Sequence, residues 1–150
     1  MWYVYEYMSN NALLHVGQKA LIEKDGKVLV LTCPGGWLDF PGGKLQEGEA
    51  KDADQASLIT SLKREVREET GLEIEVGDPF AVWYWEFPEG HKRHGENTYL
   101  VMFRCTYLSG ELKLSDEHAS AAWIGKDDYP SMARTEGMGH MEILGKYFGA

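Results

Sequence analysis

The 150-residue chain predicts a single mixed α/β (α+β) domain, residues 1–150, in which helices cover a sheet. Three observations predict it. Residues 50–70 contain neither Gly nor Pro, and Ala53, Ala56, Ile59, Leu62 and Val66 recur there at helical spacing. Apolar runs of strand length lie on both sides of that helix. An Asp25-Gly26 pair between two such runs marks a hairpin.

Taken in order, Trp2–Met8 is aromatic-rich and reads as a first strand. Gly17–Glu23 and Lys27–Leu31 are the two arms of the hairpin. Pro34-Gly35-Gly36 breaks the chain, and Pro41-Gly42-Gly43 breaks it again, leaving Trp37–Phe40 as a short strand between them. The helix follows, firmest from Ser57, with Gly71 placed to end it. Glu73–Val76, Phe80–Phe87, Thr98–Leu108 and Ala121–Ile124 read as strands, and Pro88–Asn97 as a polar loop. Met132–Phe148 reads as a terminal helix, although three glycines interrupt it.

Composition narrows the function. Lys and Arg number 15 against 24 Asp and Glu, a net charge of −9 and a pI near 5.0. An acid excess of that size excludes a general grip on polymeric nucleic acid, which needs clustered Lys and Arg. It leaves a phosphate-bearing small molecule open, because a divalent cation can supply positive charge locally. A chain of this length buries roughly 70% of its unfolded surface and needs no disulfide or metal to fold. Cys33 and Cys105 form no CxxC pair and read as two reduced core thiols. No apolar run approaches the roughly 18 residues of a membrane span, and the first residues lack a signal-peptide pattern. The expected compartment is cytoplasmic, with no membrane partner.

The chemistry is concentrated in Arg64-Glu65-Val66-Arg67-Glu68-Glu69-Thr70-Gly71-Leu72. At about 100° per residue, Glu65, Glu68 and Glu69 share roughly 100° of helix surface. Like charges three and four residues apart repel. Such a face is either solvated and partly neutralised by Arg64 and Arg67, or a site for a hard divalent cation. The Pro41-Gly42-Gly43-Lys44 loop offers backbone that a ligand can approach closely.

Together these residues resemble the Nudix (MutT-like) hydrolase family, whose box reads G-x5-E-x7-R-E-U-x-E-E-x-G-U with U aliphatic. Gly43 and Glu49 match its first half, and Arg64, Glu65, Val66, Glu68, Glu69, Gly71 and Leu72 its second. The departure is the spacer: 14 residues separate Glu49 from Arg64 where the family has 7, about two extra helical turns. Trp37–Lys44 resembles the strand and turn that enter the box. Leu114–His118 with Trp123-Ile124 resembles a downstream stretch of the family, and the likeness spans about 16–129.

The resemblance implies an α/β/α sandwich, with a mixed sheet, a catalytic helix and a C-terminal helix. It also implies hydrolysis of a nucleoside diphosphate linked to a group X, either a nucleotide sugar or a (d)NTP. Glu65, Glu69, Glu68 and the Gly42 carbonyl would hold Mg²⁺ or Mn²⁺, and Arg64 would orient the carboxylates. Glu49 would be more structural than catalytic. Glu117 is the first candidate for the base or a further ligand, with Glu68, Glu86, Glu89 and Glu96 as rivals. Two alternatives stay open: an isopentenyl diphosphate isomerase-like enzyme and a non-catalytic nucleotide-binding module.

Weaker features complete the reading. Trp83, Trp85 and Phe87 share one strand face, either as core or as a stacking platform for a base. His91, Lys92, Arg93 and His94 form a basic loop, and Arg93 is its candidate phosphate or sugar contact. The aromatic N-terminus is the candidate interface of a homodimer.

Overall fold

A computed structural model describes residues 11–50, 55–87, 89–132 and 139–149. The expected strand at Trp2–Met8, and with it the dimer contact, lies outside these residues. The hairpin forms as the Asp25-Gly26 pair requires. β1 (His15–Lys24) turns back into β2 (Lys27–Thr32), with both turn residues at positive φ, 51° and 74°. β3 (Leu38–Asp39) follows on the edge of β2.

Two expected breaks are instead parts of strands. Gly42–Lys44 forms β4, antiparallel to Gly17–Lys19 of β1. Gly77-Asp78-Pro79 lies inside one continuous strand, β5 (Glu73–Glu86), which shifts register against its neighbour there. Among the described residues β5 has a single partner strand, and an edge strand tolerates proline and a bulge. β6 (Asn97–Ser109) runs parallel to β1 and antiparallel to β5, and β7 (Ser120–Ile124) covers the other edge of β2. The described residues form one seven-stranded mixed sheet.

Helix α1 (Gln55–Thr70) ends as expected: Gly71 has φ 72° and its N–H donates to the Arg67 carbonyl at 2.9 Å. Helix α2 spans only His140–Phe148 of the expected terminal helix. It starts where Gly139, at φ 68°, stands as N-cap, and residues 133–138 lie outside those described.

The helices cover opposite sheet faces. Leu62 and Val66 of α1 pack on Ala20, Ile22, Leu29 and Leu31. Ile143, Leu144 and Phe148 of α2 pack on Leu21, Val28, Val30 and Met102. β1 and β2 therefore bury both faces along Ala20–Ile22 and Val28–Leu31, which are unbroken apolar runs. Each fully buried Leu contributes about 2 kcal/mol. Cys105 is in the core as expected, but Cys33 is half-buried at the end of β2. Among the described residues no helix is long and apolar enough to cross a membrane.

Candidate active site

β4 is pinned to both β1 and α1. Gly42 has φ 130°, and a Cβ there would overlap the Gln18 carbonyl, so this position demands glycine. That close approach lets the Gly42 N–H donate to Glu69 Oε2 at 2.8 Å. A Cβ on Gly43 would stand 2.9 Å from the Glu65 carboxylate, so the glycine leaves room around that acid.

Arg64 organises the acids. Its Nη2 donates to Glu49 Oε1 at 2.6 Å and to Glu65 Oε1 at 2.8 Å, while Nη1 donates to Glu68 Oε2 at 2.8 Å. The long spacer thus does not part Glu49 from the helix. Glu49 also accepts the Gln46 N–H at 2.7 Å, closing its own loop.

Glu65, Glu69 and Glu117 line one cavity of about 500 Å³, together with Gly42, Gly43, Lys44, His15 and His118. Glu68 is on the same helix but does not line it, being exposed and turned to Arg64. The Gly42 carbonyl accepts from Lys19 Nζ at 3.1 Å. Glu69 is only 7% exposed, and burial pushes its carboxyl up to about 7, against the opposing pull of Lys19 and the Gly42 N–H.

Beneath the acids lies a charged group that the sequence reading missed. Lys19 Nζ stands 2.9 Å from Asp39 Oδ2, and the Phe40 N–H donates to Asp39 Oδ1 at 2.7 Å. His118 Nε2 is 3.7 Å, and His140 Nε2 3.5 Å, from the same carboxylate. Burial alone would raise the Asp39 pKa, but Lys19 and the two histidines together hold it well below the usual carboxylate range. Asp39 in turn lifts His118 to about 10. The available signals were a Lys at the head of the apolar Ala20–Ile22 run and an Asp between Leu38 and Phe40.

A second cavity of about 520 Å³ adjoins the first and shares Lys19, Cys33, Asp39, Gly43 and Lys44 with it. Trp37, Trp83, Trp85, Phe87, Arg93, Thr98 and Leu100 form much of its wall. Trp85 and Phe87 thus face a cavity, while Trp83 both lines it and packs against the core under α2. Arg93 lies 4.6 Å above the Phe87 ring and donates through Nη2 to Glu96 Oε2 at 2.6 Å. Lys44 Nζ reaches the same oxygen at 3.1 Å. Among the other rival acids, Glu86 accepts from Tyr84 Oη at 3.3 Å on the exposed side, and Glu89 lines neither cavity.

A family model described as NUDIX domain matches residues 14–143. The chain is 30% identical over 116 residues to the CTP pyrophosphohydrolase of Escherichia coli (strain K12), covering 73% of this chain and 74% of that one. It is 27% identical over 109 residues to a MutT-like protein of Streptomyces ambofaciens, of whose length it spans 61%. Its fold superposes on a NUDIX hydrolase from Nitrosomonas europaea with TM-score 0.67 at 27% identity, over 91% of this chain and 90% of that one.

Proposed function

The chain belongs to the NUDIX hydrolase family, enzymes acting on phosphoanhydride bonds, and from that premise we propose a divalent-metal-dependent pyrophosphohydrolase of a small nucleotide. Its substrate is a nucleoside diphosphate linked to X, with the diphosphate beside Glu65, Glu69 and Glu117 and the base in the aromatic cavity. One observation carries the reading: carboxylates from α1 and from the loop before β7 line one cavity that opens into an aromatic one.

The donor set fits the metal. Carboxylates of Glu65, Glu69 and Glu117 and the backbone at Gly42 are all oxygen donors, and the bare Cα of Gly43 leaves space beside Glu65. Glu65 and Glu69 would be the principal ligands of Mg²⁺ or Mn²⁺. When bound, the cation neutralises pyrophosphate charge and lowers the pKa of water.

The protein's own groups do the rest. Arg64 fixes the Glu65 carboxylate by a charge-assisted bond. Glu117, exposed at the cavity wall, takes the proton of the attacking water. Lys44 and Arg93, at the border of the aromatic cavity, contact the phosphate or sugar. Trp83 and Trp85 stack on the base.

The test is a panel of (d)NTPs, an oxidised dGTP, ADP-ribose, nucleotide sugars and a dinucleoside polyphosphate, with Mg²⁺ and with Mn²⁺, read by product mass. A preferred substrate should appear, and Glu69→Gln should lower its turnover by roughly a thousandfold, the several kcal/mol that metal catalysis supplies. Full activity in Glu69→Gln would refute the metal assignment. Silence across the panel would favour the isomerase or the binding module instead.

A further inference from the structure

Three segments meet at the end of β2. β3 lies along one edge of that strand and β7 along the other, so Asp39 and His118 approach Cys33 from opposite sides. Cys33 is held by the turn itself: its N–H donates to the Trp37 carbonyl at 2.9 Å, and its carbonyl accepts from Gly36 N–H at 2.8 Å. The Cys33 thiol, an Asp39 carboxylate oxygen and a His118 ring nitrogen all lie within 4.8 Å of one another. The His118 side chain is 4% exposed, yet its Nδ1 has no hydrogen-bond partner among the described residues. Cys33 and Asp39 border both cavities.

This donor set is unlike the acids of α1. Glu65, Glu69 and Glu117 offer only oxygen, which suits Mg²⁺ and Mn²⁺. Thiolate, imidazole and carboxylate together suit Zn²⁺, with three protein ligands and a fourth position open to the cavity. We propose that Cys33, Asp39 and His118 form a second cation site, selective for a thiophilic divalent ion of the Zn²⁺ type. Binding releases the thiol proton and any imidazolium proton to solvent, since the ligands are thiolate and neutral imidazole. Lys19 is the built-in competitor, because its ammonium already stands 2.9 Å from Asp39. It keeps the Gly42 carbonyl as a partner when an ion takes the carboxylate. The inference is independent of the hydrolase reading and is tested without substrate.

The probe is Co²⁺ added to chelator-treated full-length protein. One equivalent should give a thiolate-to-cobalt charge-transfer band with tetrahedral visible bands, and excess Mg²⁺ should not displace it. Cys33→Ser should lose the charge-transfer band, and Cys105→Ser should keep it. His118→Gln should weaken affinity by at least the roughly tenfold that even an outer-sphere partner is worth. Circular dichroism checks that each variant folds. In the unaltered protein, one equivalent of Zn²⁺ should slow alkylation of Cys33 by iodoacetamide, read by peptide mass. Absence of the band in the unaltered protein, its survival in Cys33→Ser, its loss to Mg²⁺, or unchanged Cys33 alkylation would each overturn the proposal.

Discussion

Gly42 shows how one residue serves two ends of the site. Its φ of 130° is open to glycine and strained for any side chain, and its N–H is the partner of Glu69. Gly42→Ala should cost about 1–3 kcal/mol from backbone strain alone, with the overlap on the Gln18 carbonyl added. A melting curve reads this as a fall of several degrees, and an unchanged midpoint would contradict it. The Asp39–His118 pair makes a pH prediction. His118, raised to about 10, contributes stability that is full below its ordinary pKa near 6.5 and is lost as pH rises toward 10. Asp39, held low, contributes stability that is full above its ordinary 3.8 and is lost as acid protonates it. In chelator, the denaturation midpoint of His118→Gln should therefore fall furthest below the parent between about pH 4 and 6.5, and the gap should narrow toward pH 10. A gap that widens with pH would reverse the assignment. At this scale the sequence was legible where spacing encodes geometry, as in the Arg64–Thr70 helix. Lys19, Asp39 and His118 were not, because they are far apart in the chain and meet only through strand pairing.

Among the elements, α1 was the most legible, since helical spacing and a glycine stop are local signals. β5 was the least. Gly77 and Pro79 read as a break because propensity is local, whereas the strand is held across them by its ladder with β6. Continuity of β5 matters for the site, because it carries Trp83 and Trp85 to the aromatic cavity while Val82 and Tyr84 point the other way and are exposed. This alternation gives a matched test. Trp85→Ala should raise KM by about tenfold, at the lower end of the 1–3 kcal/mol that a stacked base is worth, with kcat changed much less. Val82→Ala, three residues away on the opposite face, should leave KM unchanged. Equal effects from the two would mean that the strand, not the ring, had been disturbed. α2 acts by burial: Leu144→Ala should cost 2–5 kcal/mol by urea denaturation, because its site is fully enclosed.

Over the whole molecule the balance is between an acidic surface and a phosphate-bearing substrate. A net charge of −9 repels pyrophosphate, and cations bordering the cavities, Lys19, Lys44 and Arg93, are already paired to Asp39 and Glu96. Under the proposed function, phosphate affinity comes from a divalent ion at the Glu65–Glu69 face and base affinity from rings that carry no charge. The two cavities share a border of five residues, so they fill as one site when substrate spans them. They should nonetheless separate when offered half of a substrate each. An uncharged nucleoside should quench tryptophan fluorescence in chelator as well as in Mg²⁺, with little dependence on salt, and Trp85→Ala should weaken that quenching. Inorganic pyrophosphate should bind by calorimetry only when the metal is present, and Glu69→Gln should abolish that binding. Nucleoside binding that required the metal would place the base against the acids of α1 rather than the rings of β5. Metal-free pyrophosphate binding would make Lys44 and Arg93, freed from Glu96, the phosphate site.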